Sequence, residues 1–332
     1  MPEGPEVNKR AVETFEERAW QGRRTEGVAA LRRGPRTQPG EAHSDGSTSS
    51  YSSTDPQLAI APRTVREAIA FGSECLAAAG SDTPRLDAEL LLAAALRHGS
   101  RARLVLDSEE GVDRAGLADY ERLLARRERR EPVAYILGHK WFRGICLRVD
   151  SRVLIPRPET ELLVEVALSL PRGARVADVG TGCGAVALAL ALERPDLAVT
   201  GIDSSEDALV VARENRDRFA VEVTFVRADL LDNGAYDAVV ANLPYVADGA
   251  ELAPEIALFE PREALYAGSD GLDSLRRFAA ALGERPKVRF VALEVGAGQA
   301  RMVGELLRSA GLATTRIHRD LAGHERVVVG RR

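Results

Sequence analysis

Apolar and polar positions follow different periodicities in different parts of the chain. From residue 174 onward, short apolar runs alternate with longer segments of helical spacing. Such alternation is typical of βαβ crossovers, which give a mainly parallel sheet with helices on both faces. Helical stretches separate the first five runs, whereas a short loop containing Gly323 joins the last two, so we expect the final strand to be antiparallel. The seven predicted strands cover residues 174–179, 198–202, 221–226, 237–241, 288–295, 314–317 and 326–329.

The region ahead of this alternation has the apolar spacing of a small helical bundle. One helix is predicted after a capping box formed by Thr64 and Glu67, and a second helix begins with Pro84. A third helix covers about 114–130, and we interpret the basic run RRERRE at its end as a solvated helix end. The alternative for this run is an electropositive surface that faces an RNA-associated partner. The predicted division is a helical domain over 62–132, a hinge or β-hairpin linker over 133–152 and an α/β domain over 153–332.

The first 61 residues differ in composition from the rest. The stretch 34–62 is dense in Ser, Thr, Gly, Pro and Asp. Such a segment buries too little apolar surface to offset the entropy lost on ordering. We therefore predict that residues 1–61 form a flexible extension outside the folded domains.

Composition and charge narrow the classes of protein. With 332 residues and 45% hydrophobic content the chain can build the cores of two domains. Its net charge of -5 argues against a globally basic nucleic-acid binder, and we expect no direct nucleic-acid contact. The three cysteines are too far apart for a zinc site or a disulfide framework, and no apolar run approaches the ~18 residues of a membrane span. These features predict a cytoplasmic protein without a metal or a membrane partner.

A glycine-rich loop follows the first predicted strand, in the segment VADVGTGCGAVALALA (176–191). Glycine permits positive φ and lets the backbone approach a ligand closely. A strand, a glycine loop and a helix in this order indicate a cofactor that contains adenine. Gly180, Gly182 and Ala185 also fit the dinucleotide pattern G-x-G-x-x-A, so the loop alone leaves the cofactor open.

Two aspartates follow the next two strands. Asp203 lies about twenty residues beyond the loop, where a carboxylate can accept hydrogen bonds from ribose hydroxyls. Asp229 follows the third strand and could meet an adenine amino group. Either residue alone could be a helix N-cap. Together they outline one crevice at the carboxyl edge of the sheet.

The segment Asn242-Leu243-Pro244-Tyr245 distinguishes methyl transfer from hydride transfer. The Asn242 oxygen and a backbone carbonyl of the turn can accept hydrogen bonds from both N–H groups of a planar NH2 group. These hydrogen bonds would hold the nitrogen near a sulfonium methyl. Tyr245 can pack over the planar group. No strong base is required, because the proton becomes acidic once the nitrogen is alkylated. The turn therefore predicts methylation of an amide or ring nitrogen.

The chain resembles the HemK/PrmC protein-(glutamine-N5) methyltransferases, which modify the glutamine of the GGQ motif in peptide chain release factors. The likeness covers about residues 64–332. It rests on PRLDAELLLAAAL (84–96), EPVAYILGHKWFRG (131–144), VLIPRPETELLVE (153–165), the glycine loop, NLPYV, FEPREALYAGSDGLD (259–273) and RDLAGHERVVVGR (319–331). The resemblance implies a small all-α substrate-recognition domain, a hinge, and a class I S-adenosylmethionine-dependent methyltransferase domain with a Rossmann-like, seven-stranded, mostly parallel sheet.

The resemblance also implies the cofactor, the partner and the residue roles. The cofactor is S-adenosylmethionine, and the protein substrate is a class 1 peptide chain release factor. The residues implied to bind the methionine part of the cofactor are Gly180, Thr181, Gly182, Cys183 and Gly184; Asp203 would bind its ribose, and Asp229 and Leu230 its adenine. The implied catalytic residues are Asn242, Pro244 and Tyr245. Asn242, Leu243, Pro244 and Tyr245 would bind the substrate, with Asn242 also near the cofactor, and Arg157, Thr160 and Glu161 would form a lid.

One residue that departs from the family pattern leaves a second substrate as an alternative. The family usually has N-P-P-Y, but position 243 is leucine. N-L-P-Y is typical of rRNA adenine dimethyltransferases, so an rRNA adenine-N6 is the main alternative, and a glutamine of another protein such as a ribosomal protein is a further one. PRPETE, FEPREAL and the acidic net charge favour the release-factor glutamine.

Overall fold

Helices come first in the computed structural model, which describes residues 62–98 and 100–332, and a seven-stranded sheet follows them. The predicted extension 1–61 lies outside the described residues. The helices of the first part are α1 (Val65–Ala78), α2 (Pro84–Ala95), α3 (Arg101–Leu106), α4 (Arg114–Glu128) and α5 (Val133–Leu137).

The three predicted helices are confirmed as α1, α2 and α4. The capping box of α1 is present, since the Glu67 backbone N–H donates to Thr64 Oγ1 and the Thr64 N–H donates to Glu67 Oε2, each at 3.2 Å. Pro84 is the first residue of α2. α3 and α5 have six and five residues, too few for a helical repeat to show in the sequence. The helices share a core in which Tyr120, Leu76, Leu91, Leu92 and Leu104 are fully buried.

The interpretation of RRERRE as a solvated helix end is wrong for Arg127. This side chain is 5% exposed, and its Nε lies 2.8 Å from Asp87 Oδ2 on α2. Its Nη2 also lies 3.1 Å from Oε1 of Glu255, whose Oε2 binds Arg130 at 2.6 Å. Glu255 belongs to the α/β part of the chain, so the basic run joins the helices to that part. A buried guanidinium needs carboxylate partners, and these acids supply them.

A hairpin and a short helix connect the two parts. Strands β1 (His139–Phe142) and β2 (Ile145–Arg148) pair antiparallel within the predicted linker. They are followed by a 3₁₀ turn (Pro158–Thr160) and α6 (Glu161–Ala167). Asn215 ties the hairpin to the glycine loop, since its amide bonds both backbone groups of Arg148 and donates to the Cys183 carbonyl at 2.9 Å.

The sheet contains seven strands, as predicted. They are β3 (Arg175–Val179), β4 (Ala198–Asp203), β5 (Val223–Arg227), β6 (Ala238–Ala241), β7 (Phe290–Glu294), β8 (Thr314–Arg319) and β9 (Glu325–Arg331), in the spatial order β5-β4-β3-β6-β7-β9-β8. The pairs among β3 to β7 are parallel, and β9 is antiparallel to both β7 and β8. The predicted antiparallel last strand is therefore confirmed. The strand order reverses between β3 and β6, the place where open α/β sheets bind ligands.

Helices cover both faces of the sheet. They are α7 (Ala185–Glu193), α8 (Glu206–Phe219), α9 (Pro254–Phe259), α10 (Asp273–Gly283) and α11 (Ala300–Ser309). One predicted helical stretch is wrong, because the described residues between β5 and β6, 228–237, form no helix. That segment lacks helical apolar spacing and turns at Gly234, whose N–H donates to Asp232 Oδ1 at 3.0 Å.

Candidate active site

The carboxyl ends of β3, β4, β5 and β6 open into one crevice at the reversal of strand order. Of the residues predicted from the sequence, those lining it are Gly180, Gly182, Asp203, Asp229, Leu230, Asn242, Leu243 and Pro244. These positions are spread over more than sixty residues of sequence, and the parallel sheet brings them together.

The glycine loop forms the wall of the crevice after β3. Gly180 has φ of 72°, and a Cβ there would lie 3.1 Å from the backbone oxygen of Asn242. Its lack of a side chain lets the two loops approach each other. A Cβ at Gly182 would meet no atom of the described residues within 4 Å, so this part of the loop faces open space. The open space beside the loop fits a ligand that lies along its backbone.

Thr181, Cys183 and Gly184 are turned away from the crevice. The Thr181 hydroxyl donates to Asp178 Oδ2 at 2.6 Å, and the Ala187 N–H donates to the same oxygen at 3.1 Å. Burial raises the pKa of Asp178 to about 7. Burial also raises the pKa of the Cys183 thiol to about 12, so this side chain packs as an apolar group. These residues shape the loop from behind.

Asp203 connects the loop to the next strand. Its Oδ2 accepts from the Gly182 N–H and its Oδ1 from the Ser205 N–H, each at 2.9 Å. Burial raises the pKa of this carboxyl group, and the backbone N–H donors counteract that rise. Each carboxylate oxygen has a further lone pair, so the group can still accept from hydroxyls of a ligand in the crevice.

Asp229 lies at the exposed rim of the crevice. Its Oδ2 binds the Arg277 guanidinium on α10. Leu230, the next residue, has φ of 65°, an uncommon conformation for a side chain of this size. Sequence reasoning missed Arg277 and Ser274, which also line the crevice, because α10 joins it from a distant part of the chain.

The turn after β6 forms the opposite wall. Asn242 Nδ2 donates to Thr160 Oγ1 at 3.2 Å, which leaves Asn242 Oδ1 for another donor. Leu243 is 4% exposed and packs in the core between the sheet and the helices α10 and α11. The Tyr245 carbonyl accepts from Gln299 Nε2 at 3.0 Å, and burial raises the pKa of the Tyr245 phenol to about 12. Distant segments therefore hold the backbone and the phenol of this turn.

The three predicted lid residues occupy different places. Thr160 is buried against Asn242. Arg157 pairs with the buried Glu260, and Glu161 Oε1 accepts from the Arg143 N–H at 3.0 Å. Neither Arg157 nor Glu161 lines the crevice, whereas Arg152, Val153 and Leu154 from the same segment do.

A buried carboxyl group that sequence reasoning missed stands behind this wall. Glu294 is the last residue of β7, and the Tyr245 hydroxyl donates to its Oε1 at 3.4 Å. The signal that could have found it is an acidic residue at the end of a buried apolar run, the same signal that singled out Asp203.

Metal sites and membrane-spanning helices concern the described residues, 62–98 and 100–332. Within these ranges no group of three or more His, Cys, Asp or Glu side chains is arranged to hold a metal ion. In the same part of the chain, no helix is both long and apolar enough to cross a membrane.

Known proteins resemble the chain along both of its parts. The family model of the PrmC N-terminal domain matches residues 67–138, and that of the methyltransferase small domain matches residues 158–260. A solved release-factor-specific protein-(glutamine-N5) methyltransferase from Alicyclobacillus acidocaldarius is 32% identical, covering 54% of this chain and 94% of its own, with a TM-score of 0.34.

Curated relatives match most of their own length. The release factor glutamine methyltransferase of Pseudomonas aeruginosa is 43% identical over 75% of this chain and 93% of its own. Relatives of the same name from Rhodospirillum rubrum and Geobacter sulfurreducens are 40% and 38% identical, over 79% and 81% of this chain and 83% and 96% of their own lengths. With these identities and this coverage, the chain belongs to the release factor glutamine methyltransferase family.

Proposed function

We propose that this protein transfers a methyl group from S-adenosylmethionine to the side-chain amide nitrogen of the glutamine in the GGQ motif of class 1 peptide chain release factors. The observation that carries the proposal is the placement of Asn242. Its side chain lies in the same crevice as Gly182 and Asp203, and its Oδ1 is left for a donor from outside. An S-adenosylmethionine-dependent enzyme of this kind works in the cytoplasm, where release factors act.

The glycine wall is the part of the crevice that would hold the cofactor. Gly180 and Gly182 would lie along its methionine part, and the remaining lone pairs of Asp203 would accept from the ribose hydroxyls. Asp229 and Leu230 would border the adenine, with Arg277 beside them. When bound, S-adenosylmethionine supplies an activated methyl group on a positively charged sulfur.

The Asn242 wall would hold the glutamine amide. An amide nitrogen is a weak nucleophile because its lone pair is delocalised into the carbonyl group. Asn242 Oδ1 and a backbone carbonyl of the turn would accept hydrogen bonds from its two N–H groups and favour the pyramidal nitrogen that forms during transfer. Tyr245 would flank the planar amide and exclude water from it. The proton then leaves the alkylated nitrogen without the need for a strong base.

The leucine at position 243 keeps an rRNA adenine as the second candidate substrate. Its side chain borders the crevice but is 4% exposed and packs mainly in the core, so the leucine adds little surface for a substrate to contact. The backbone carbonyl of residue 243 is retained, and that carbonyl is compatible with a glutamine amide as well as with an adenine amino group.

Methyl transfer to defined substrates separates these functions. The purified protein is incubated with methyl-labelled S-adenosylmethionine and a release factor, the same factor with GGQ changed to GGA, or rRNA. We expect label only on the release factor with intact GGQ. Label on the GGA factor, or on RNA alone, would contradict the glutamine assignment.

A further inference from the structure

Glu294 lies beside Asn242 in the sheet. Ala241, the last residue of β6, pairs with Leu293 of β7 in parallel register, so the residues that follow them, Asn242 and Glu294, occupy neighbouring positions. Laterally paired residues of parallel strands point to the same face. Glu294 is 2% exposed, so a carboxyl group is buried directly behind the turn that would receive the substrate.

Two hydroxyl groups face the Glu294 carboxyl group. The Tyr245 hydroxyl donates to Oε1, and the Thr160 hydroxyl acts as a second donor that favours the charged form. Oε2 is buried without a hydrogen-bond partner among the described residues. An acidic group buried in this way is costly to keep, so structural support alone does not account for it.

The surroundings determine when Glu294 is charged. Burial is the largest influence and raises its pKa to about 7. Glu159, on the 3₁₀ turn, raises the pKa further, whereas Arg326 on β9 lowers it. The hydrogen bonds from Thr160 and Tyr245 lower it as well.

The ionised carboxylate imposes a direction on the neighbouring hydrogen bonds. A carboxylate only accepts, so Thr160 uses its single hydroxyl hydrogen toward Glu294. The Thr160 oxygen can then only accept from Asn242, which matches the Nδ2 donor found there. Asn242 Oδ1 is thereby turned away from Thr160, in the orientation that an incoming N–H donor requires.

We propose that Glu294 is a positioning residue, whose carboxylate fixes the amide orientation of Asn242 through Thr160 and anchors the Tyr245 phenol. This inference rests on the proposed function for its consequence in catalysis. Once protonated, Glu294 donates a hydrogen bond, Thr160 is free to donate to Asn242 Oδ1, and the amide can flip. The ionised form is the competent one, so kcat rises with pH through the titration of Glu294.

Selective labelling makes the Asn242 amide directly observable. The chain contains four asparagines, Asn8, Asn215, Asn233 and Asn242, so a spectrum of protein labelled with ¹⁵N-asparagine is sparse. The signal lost in Asn242→Ser assigns the Asn242 side chain. We expect this NH2 signal to shift with a midpoint near pH 7 in the wild type, and to lose that shift in Glu294→Gln and in Thr160→Val. An Asn242 signal that does not respond to pH, or responds equally in Glu294→Gln, overturns the proposal.

Kinetics provide the second readout. Glu294→Gln is expected to lower kcat about tenfold through a misplaced amide, to leave the cofactor Kd within twofold, and to abolish the acid limb of the kcat profile. Asp237→Asn is the matched control, since it changes a carboxylate at the opposite end of β6 that pairs with Arg175. It should retain wild-type kcat and pH dependence.

The proposed function and the role of Glu294 are tested by different outcomes. A wild-type protein that methylates no release factor contradicts the proposed function, while the Asn242 titration still decides the role of Glu294. Wild-type kcat and an unchanged acid limb in Glu294→Gln overturn the role of Glu294 alone. If Glu294→Gln does not fold, Thr160→Val tests the same connection, and a retained Asn242 titration in that variant contradicts it.

Discussion

The two walls of the crevice are built on buried carboxyl groups that differ in how completely they are bonded. Behind the glycine wall, Asp178 accepts from the Thr181 hydroxyl and the Ala187 N–H. Behind the Asn242 wall, Glu294 accepts from the Tyr245 hydroxyl at 3.4 Å and has the Thr160 hydroxyl beside it, but its Oε2 has no partner among the described residues. Burial raises the pKa of both to about 7. The bonded group holds a loop in shape, whereas the incompletely bonded group leaves its wall able to change with protonation.

Removal of the Asn242 amide gives the largest effect that separates the walls. Asn242→Ala is expected to lower kcat about 100- to 1000-fold, because the amide acts on the nitrogen mainly during transfer. The cofactor Kd should change less than about twofold, since the glycine wall is intact. Methyl-transfer kinetics and calorimetric titration of the cofactor measure the two quantities. Asn233→Ala, in an exposed turn, is the control. A matched loss of turnover and cofactor affinity argues against the amide-holding role.

Removal of the Asp203 carboxylate should weaken cofactor binding and leave kcat nearly unchanged. Asp203→Ala deletes the acceptor for the Gly182 N–H and the proposed acceptor for ribose hydroxyls, so we expect the cofactor Kd to rise about 10- to 100-fold. At saturating cofactor, kcat should stay within a few fold of the wild type. Asp207→Asn, in the first turn of α8, serves as the control. An unchanged cofactor Kd in Asp203→Ala would contradict the proposed contact between Asp203 and the cofactor.

The sequence predicts the residues that line the crevice better than it predicts the residues that support the Asn242 wall from behind. Gly180, Asp203 and Asn242 each follow a strand directly, so local pattern places them at one edge of the sheet. Glu294 carries the same local signal as Asp203, but its place behind the Asn242 wall depends on strand order, which is not visible in periodicity. The place of Arg277 at the crevice depends on where α10 packs. The helices α3 and α5 escape prediction because they are shorter than two helical turns. The regular alternation around the connection 228–237 predicts a helix there, although the segment itself lacks helical apolar spacing.

Arg127 illustrates a second limit of sequence reasoning. A run of basic residues at a helix end is usually solvated, and local pattern does not show which distant carboxylates bury one of them. The partners that bury Arg127 are Asp87, forty residues earlier, and Glu255, on the short helix after the substrate turn. Charge pairing across such separations becomes visible only in the folded structure.

Stability at different pH values tests the contrast between the two buried carboxyl groups. Folding raises the pKa of Glu294 from 4.5 to about 7, so its contribution to stability is present below pH 4.5 and is lost as the pH rises through 7. Relative to Glu294→Gln, the wild type should lose about 2 to 3 kcal/mol of unfolding free energy between pH 5 and pH 8. Urea unfolding at both pH values, with an unchanged m-value, measures this difference.

Asp178 is the comparison for that measurement. Asp178→Ala leaves the Thr181 hydroxyl and the Ala187 N–H without their acceptor, so we expect a loss of about 1 to 3 kcal/mol that is already present at pH 5. A Glu294→Gln variant whose stability follows the wild type at every pH would show that Glu294 does not titrate in this range. The contrast between the walls would then lose its basis.

The smallest effect is expected at the Tyr245 hydroxyl, and it separates the two links to Glu294. Tyr245→Phe keeps the ring and removes one long hydrogen bond, so kcat should fall only about fivefold, in line with the ~1 kcal/mol of a typical hydrogen bond. That bond also lowers the pKa of Glu294, so its loss should move the acid limb of kcat and the Asn242 amide titration together to higher pH. If the acid limb moves and the Asn242 titration does not, Glu294 acts on turnover through Tyr245 rather than through Thr160.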